Sequence, residues 1–423
     1  MDSYLLLVVL LFSLSALGLI VGVSNDAVNF LNSSLGSKVA SMKTILIVAS
    51  LGVLLGTTFS SGMMEVARKS VFNPGYFSFH ALMFIFVAVM LTNVILLDIY
   101  NTLGFPTSTT VSLVFTLFGA GASIGFLTAI DSGLDPFAFS EYINVDTTID
   151  IVQGIFSSVG IAFVAGISIQ WIARLAFTYK LEESLSKWGG IFSGIASTLI
   201  INFLIFKGLK GSSFLTKDTV HLLLEHQNAI LGGLFLLFTA IAQGMITLAK
   251  VNPLRYVVLL GTFSLAMAFA GNDLVNFIGV AVAAYQAYGM FAVAGVDAHE
   301  LIMDSMAKEV GTPTLLLVLA GLIMIVTLWT SAKARKVSAT QIGLSRQGEG
   351  SEKFKPNTLS RLLVSAAGGL SQGLASVSSA RFQTWTDVRF QTLPESKSKD
   401  APAFDLVRAA VDLMVASSLI AYA

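Results

Sequence analysis

Long apolar runs follow one another along almost the whole chain. Each is close to the 20 or so residues that a helix needs to cross a hydrocarbon core of roughly 30 Å. The runs cover residues 4–23, 43–62, 80–98, 111–130, 152–173, 189–206, 229–249, 255–271 and 312–330, and a shorter one covers 406–423. Inside lipid, only α-helices and closed barrels satisfy their own backbone hydrogen bonds. The pattern therefore predicts an all-α polytopic membrane protein.

The composition narrows the possible functions. Hydrophobic residues make up 55% of the chain and charged residues 12%, whereas soluble domains carry about 25% charge. The net charge is zero, and without a basic patch with interleaved aromatics we expect no nucleic-acid partner. The chain has no cysteine, which excludes disulfides and thiolate chemistry. It also lacks the His-Glu-x-x-His and Gly-x-Ser-x-Gly arrangements, so we predict that it is not an enzyme.

The motif Asn-Asp-x-x-Asn occurs twice inside apolar surroundings, at residues 25–29 and 272–276. An ionised carboxylate at the bilayer centre costs roughly 2.5 to 3.5 kcal/mol, so it is a functional hypothesis by default. On a helix, the three polar side chains of each copy share one face. Amides can donate to an oxyanion, and carboxylate and carbonyl oxygens can bind a hard cation. The alternative is a structural role in helix caps and interhelical hydrogen bonds.

Basic residues predict the orientation. Residues 331–402 form the one long polar stretch and hold eleven lysines and arginines, so we expect them in the cytoplasm. Counting spans back from there places the amino terminus outside. The first motif is then entered from outside and the second from inside, which defines an inverted-topology repeat. We predict that residues 23–35 and 272–285 form broken helices that meet at the membrane midplane, as in secondary transporters.

The same reading divides the chain into five parts. Residues 1–130 form a first repeat, 131–250 a connecting loop and further spans, and 251–330 the start of the second repeat. Residues 331–402 form a cytoplasmic polar loop, either a flexible insertion or a regulatory domain, within which 359–377 can form an amphipathic helix. Residues 403–423 form a last, incomplete segment.

A third polar element, Gly104-Phe105-Pro106-Thr107-Ser108-Thr109-Thr110, precedes an apolar run. Proline is favoured at the first helical position, and the positive end of a helix dipole binds phosphate-like anions. An ordinary capped transmembrane helix is the alternative. Asp26 and Asp273 bring negative charge to the predicted site, and no lysine or arginine lies within the broken segments. An anion would therefore need cations or protons bound beside it, which is the physical basis of symport.

With Asn-Asp-x-x-Asn twice and Pro-Thr-Ser-Thr-Thr once, the sequence resembles the inorganic phosphate transporter (PiT) family. The resemblance implies import of inorganic phosphate across the cell membrane by sodium or proton symport, no cofactor beyond the coupling ion, and a homodimer in the lipid bilayer. By this resemblance, phosphate would bind Asn25, Ser108, Thr109, Thr110 and Asn272. The coupling cation, sodium, would bind Asp26, Asn29, Asp273 and Asn276. A sulfate or other oxyanion permease and a non-transporting membrane scaffold are the alternatives.

The sequence departs from the family pattern in two places. The first signature usually begins Gly-Ala-Asn-Asp, whereas Val23 and Ser24 precede Asn25 here. Family members also carry a second Pro-x-Ser-Thr-Thr motif after the span that begins near Leu406. The sequence stops at Ala423, so the resemblance predicts a chain truncated before the second half of the anion-binding cradle.

Overall fold

The structure is a computed structural model that describes residues 3–59, 71, 73–131, 133, 142–208, 217–307, 313–348, 355–391 and 401–422. Apart from one isolated bridge between Ser78 and Ile302, the regular structure of these residues is helical. The α-helices are α1 (Ser3–Gly36), α2 (Met42–Phe59), α3 (Phe79–Leu103), α4 (Thr109–Asp131), α5 (Val145–Phe177), α6 (Leu181–Phe203), α7 (Lys217–Glu225), α8 (Gln227–Thr247), α9 (Leu254–Ala294), α10 (Thr314–Thr330), α11 (Ala332–Leu344), α12 (Thr358–Val377), α13 (Ala380–Arg389) and α14 (Leu406–Tyr422).

Each predicted apolar run overlaps an α-helix. Among the described residues, eight helical segments are long and apolar enough to cross a membrane, and the bent pair α10 and α11 makes a ninth if it is one span. Apolar side chains on α5 such as Phe156 and Phe163 are exposed, as expected for a helix surrounded by lipid. The prediction of an all-α polytopic membrane protein is confirmed.

Two sets of contacts define opposite ends of the helical bundle. At the first, which we call the Tyr4 end, the Tyr4 hydroxyl lies 2.8 Å from His80 Nδ1, and the His80 and His299 rings are 4.0 Å apart. At the other, the Gly36 end, the Ala403 N–H donates to the Gly36 carbonyl over 2.8 Å. The contacts place Tyr4, His80 and His299 at one end and Gly36 and Ala403 at the other.

Helices α1 and α9 pack against each other in antiparallel directions. Tyr4 contacts Phe291 near one end of the pair, with ring centroids 5.4 Å apart, and Phe30 contacts Phe269 further along, at 6.0 Å. Between them, the Phe277 ring lies against Gly18 and Gly22. This register brings the backbone of the second Asn-Asp motif, residues 272–276, level with that of the first.

The prediction of broken helices at the two motifs is wrong for this structure. Helix α1 continues through the first motif to Gly36, and the backbone of α9 continues through the second to Ala294. In α1 the physical reason is visible, because no proline interrupts it and its buried polar side chains bond sideways to other helices. Its backbone therefore keeps its own hydrogen bonds. The buried polar side chains of the motif find hydrogen-bond partners without a break in the helix.

The described residues of the polar stretch 331–402 include three helices, α11, α12 and α13. Helix α12 confirms the helix expected at 359–377. Helix α11 was not predicted; it packs against α1 and α3 and buries Ala334, Val337 and Ser338. Val337 and Ser338 follow Ala334 by three and four residues, which is the spacing of one face of a helix.

Small residues allow α2 and α9 to pack closely. A Cβ atom at Gly52 would meet the Phe263 carbonyl oxygen, and one at Gly56 would meet that of Met267. Because both obstacles are backbone atoms, they cannot move aside as a flexible side chain could. Two glycines four residues apart are a common device for close helix contact in membranes.

We expect Gly56→Ala to lower the free energy of unfolding by about 1 to 3 kcal/mol, since overpacking shifts the neighbouring backbone. Gly119→Ala is the matched control. A Cβ at Gly119 meets nothing within 4 Å, so its higher helix propensity should stabilise the protein by up to about 1 kcal/mol. Thermal unfolding in detergent measures both. Equal midpoints for the two variants would contradict the packing argument.

Candidate functional site

The turn between α3 and α4 places the hydroxyl-rich segment. Helix α3 ends at Gly104, which has a left-handed backbone with φ of 73°. The Gly104 N–H donates to the Asn101 carbonyl over 3.0 Å, and the Phe105 N–H donates to the Tyr100 carbonyl over 2.8 Å. This pair of bonds is a Schellman motif, which favours glycine because it has no Cβ. Pro106 follows and cannot continue α3, so the chain turns and begins α4 at Thr109.

Asn25 fastens this turn to α1. Its Nδ2 donates to Asn101 Oδ1 over 2.8 Å and to the Phe105 carbonyl over 3.0 Å, and its Oδ1 accepts from the Thr107 N–H over 2.7 Å. Asn101 in turn donates to the Val21 carbonyl over 2.6 Å. Both asparagines have an exposed fraction of 0%. The Asn25 amide is therefore occupied by the protein itself and holds the turn in place.

A pocket of about 450 Å³ lies beside this clamp. Its floor is the buried carboxylate of Asp26, which is 3% exposed and accepts from Thr109 Oγ1 over 2.9 Å. Asn29, one turn further along α1, is exposed and also lines the pocket. The complete wall consists of Asp26, Asn29, Pro106, Thr107, Ser108, Thr109, Thr110, Phe269 and Gln341.

The wall offers chemistry for both an anion and a cation. Ser108 caps the start of α4, since its hydroxyl accepts from the Val111 N–H over 3.2 Å. Ser108, Thr109 and Thr110 line the pocket, so the positive end of the α4 dipole lies beside it. The Asp26 carboxylate and the Asn29 amide oxygen suit a hard cation. The described lining residues include one carboxylate and no lysine, arginine or histidine. Charge balance therefore favours binding an anion together with a cation.

The structure brings five predicted site residues into one wall: Asp26, Asn29, Ser108, Thr109 and Thr110. Asn25 lies next to the pocket and outside its wall. The side chains of Asn272, Asp273 and Asn276 lie outside the described residues, although their backbone runs level with the first motif. Their predicted roles stay predictions.

Sequence reasoning missed Asn101, Phe269 and Gln341. Asn101 could have been noticed from the sequence. A buried asparagine within an apolar span normally has a hydrogen-bond partner in the protein. Gln341 continues the packed face of α11, three residues after Ser338. Phe269 carried no signal beyond its place in an apolar run.

The fold and the pocket define a class, namely a polytopic membrane protein with a site suited to an oxyanion and a cation. The sequence model of the phosphate transporter family matches residues 22–340. Because this match covers most of the chain, the protein belongs to that family. Its members are transporters, so the prediction of a phosphate transporter that is not an enzyme is confirmed.

The fold is also found in a solved structure. A solved structure described as "The sodium-dependent phosphate transporter" matches with a TM-score of 0.52 and 17% sequence identity, covering 81% of this chain and 90% of that chain. At that identity the likeness shows a shared fold. No curated protein sequence matches the chain.

We expect Asn101→Ala to weaken phosphate binding about tenfold, because it releases Asn25 and the turn that Asn25 holds. Asn93→Ala is the matched control on the same helix. Asn93 is 3% exposed and bonds to Ser112 and Thr116 of α4, away from the pocket. Both variants should lose about 1 to 3 kcal/mol of stability. Equilibrium binding of radiolabelled phosphate separates them, and equal affinities would show that the clamp does not act on the site.

Proposed function

We propose that this protein imports inorganic phosphate across the cell membrane by symport with sodium or protons. The observation that carries the proposal is the charge of the pocket wall, where hydroxyls and a helix start suit an oxyanion, and where the Asp26 carboxylate is the one charged group among the described lining residues. Phosphate alone would be repelled by that charge. A cation bound at Asp26 removes the repulsion, so each ligand raises the affinity for the other.

We assign the roles within the pocket from the contacts described above. Ser108, Thr109 and Thr110 bind phosphate through the first turn of α4, and Asp26 with Asn29 binds the cation. Asn25, whose amide bonds are taken up by the turn, is a positioning residue. Asn272, Asp273 and Asn276 complete the site from α9, and the level of their backbone beside the first motif supports this.

Paired contacts support an inverted repeat that relates α1, α2 and α3 to α9, α10 and α14. Helix α1 packs on α3, and α9 packs on α14 in the same way. Helix α2 packs on α9 and α10 packs on α1, while α3 touches α9 and α14 touches α1. Each contact of the first set thus has a counterpart in the second, and α1 and α9 run in opposite directions.

Charge supports an orientation with the Gly36 end in the cytoplasm. Basic residues such as Arg174, Lys333 and Lys336 lie at that end, whereas Asp297 lies next to His299 at the Tyr4 end. Positive charge is retained on the cytoplasmic side of membrane proteins. The amino terminus is then outside.

Uptake by proteoliposomes tests the proposal. Vesicles containing the full chain are given radiolabelled phosphate with an inward sodium gradient, with an inward proton gradient, or with neither. We expect uptake to require one of the two gradients and to saturate with phosphate. An excess of unlabelled sulfate should compete weakly if phosphate is the substrate, and strong competition would indicate a broader oxyanion permease.

Empty vesicles and vesicles whose gradient has been dissipated by an ionophore are the controls. Uptake that is equally fast without any cation gradient would contradict symport while leaving phosphate binding intact. Absence of both binding and uptake would overturn the proposal altogether.

A further inference from the structure

Helix α11 closes one side of the pocket. Gln341 is part of the pocket wall, together with the hydroxyl residues at the start of α4. The other walls come from α1, α4, α9 and the turn before α4. Gln341 lies directly after residue 340, where the match to the family model ends, and its carboxamide carries two N–H donors that suit an oxyanion.

Three side-chain contacts hold α11 at the Gly36 end. Lys333 Nζ lies 2.5 Å from Asp98 Oδ1 at the end of α3, and Lys336 Nζ donates to the Thr102 carbonyl. We call these two lysine contacts the latch. The Lys333 and Asp98 side chains are 43% and 47% exposed, and Lys336 is exposed as well. Exposed ion pairs of this kind are weak, since water screens them. These two lysine contacts can therefore break at little cost in stability.

The third contact joins α11 to the first Asn-Asp motif. Helices α10 and α11 meet at Ser331 with a bend of 67°, and the Ser331 hydroxyl caps α11 by accepting from the Ala334 N–H over 3.1 Å. The same hydroxyl lies 2.7 Å from the Ser24 hydroxyl. Ser24 immediately precedes Asn25, so this contact connects α11 directly to the first Asn-Asp motif.

We propose that α11 is a cover over the pocket at the Gly36 end and that Gln341 is a further phosphate-contacting residue. The cover turns about Ser331, and the lysine latch holds it closed while the ligands are bound. This inference rests on the proposed function, because it takes phosphate as the occupant of the pocket. It adds a residue and a moving element that the Asn-Asp motifs and the start of α4 do not include.

A negative charge at position 341 tests the contact. The purified full chain is compared as Gln341→Glu and as Ala339→Glu, which places the same charge on an exposed position of the same helix. With sodium present, we expect Gln341→Glu to raise the half-saturating concentration of radiolabelled phosphate at least about tenfold over that of Ala339→Glu. The cause is repulsion between the new carboxylate and the anion.

The comparison also controls for folding, since both variants carry the same charge on α11 and are required to elute as one peak on size exclusion. Gln341→Ala adds a variant without a new charge, and we expect a smaller increase, about threefold, from the lost hydrogen bonds. Equal half-saturating concentrations for Gln341→Glu and Ala339→Glu would overturn the contact.

Cross-linking tests the movement. Because the chain contains no cysteine, Thr102→Cys combined with Lys336→Cys gives one reactive pair, and both positions are exposed. A thiol cross-linker about as long as a lysine side chain should lock α11. We expect the bridged protein to lose at least about 90% of its uptake while it still binds phosphate in detergent.

Each single-cysteine variant treated with the same reagent is the control, since it reacts without being bridged. Undiminished uptake by the bridged pair would overturn the cover. The wild-type chain separates this inference from the proposed function on which it rests. If the wild type neither binds nor takes up phosphate, the proposed function is overturned. If the wild type is active but the α11 variants behave like their controls, this inference alone is overturned.

Discussion

Asp405→Ala is expected to lower the free energy of unfolding by roughly 3 kcal/mol or more, because it leaves a buried arginine without its counter-charge. Arg174, at the end of α5, is 2% exposed. Its Nη2 lies 2.6 Å from Asp405 Oδ2, and its Nη1 donates to the Thr178 carbonyl over 3.2 Å. Asp405 also caps α14, since its Oδ1 accepts from the Arg408 N–H over 3.0 Å.

Two further variants separate the charge from the cap. Asp405→Asn keeps a good capping side chain and loses the charge, so it should cost about 1 kcal/mol less than Asp405→Ala. Adding Arg174→Met to Asp405→Asn removes the uncompensated charge, and most of the lost stability should return. Thermal unfolding and the yield of monodisperse protein in detergent measure the series.

Glu225→Ala is the matched control for loss of an acidic partner. Glu225 faces His221 in an exposed pair, in which the His221 side chain is 84% and the Glu225 side chain 61% exposed. Removing Glu225 should therefore leave the unfolding midpoint unchanged. If Asp405→Ala also leaves the midpoint unchanged, the junction between α5 and α14 does not depend on this pair.

The sequence predicted the spans well because their signal is local. A run of apolar residues of membrane length has few structures open to it in lipid other than a helix. Most ends of the predicted runs lie within a few residues of the end of a helix. The continuity of α1 and α9 was not predicted correctly. Polar residues within an apolar run suggested a break, but the partners that satisfy Asn25 come from positions 101 to 107, and the sequence alone could not place them beside it.

The site shows the same division between local and distant information. Five pocket residues were predicted because they belong to two compact motifs. The positioning role of Asn25 and the contribution of Gln341 depend on α3 and α11 packing against α1, which involves separations of tens to hundreds of residues. Helix α11 was also missed, because its segment is rich in lysine and serine. The spacing of Ala334, Val337 and Ser338 is nevertheless that of one helix face.

Asp26→Asn is expected to reduce cation-dependent phosphate uptake on the order of 100-fold, in line with the 2 to 5 kcal/mol lost when one member of a buried charge pair is removed. The replacement has almost the same shape, and its carbonyl oxygen can still accept from Thr109. The fold should therefore be kept, and the change lies in the charge at the floor of the pocket.

The sodium dependence of binding gives the sharper measurement. In the wild type, raising sodium should lower the half-saturating phosphate concentration, since the two ligands assist each other. In Asp26→Asn this dependence should be largely lost, because the repulsion that sodium relieves is gone. Asp150→Asn, on an exposed position of α5, removes an acid far from the pocket and should keep both the uptake and its sodium dependence. Unchanged sodium dependence in Asp26→Asn would move the coupling site away from Asp26, with the second motif on α9 as the place to look next.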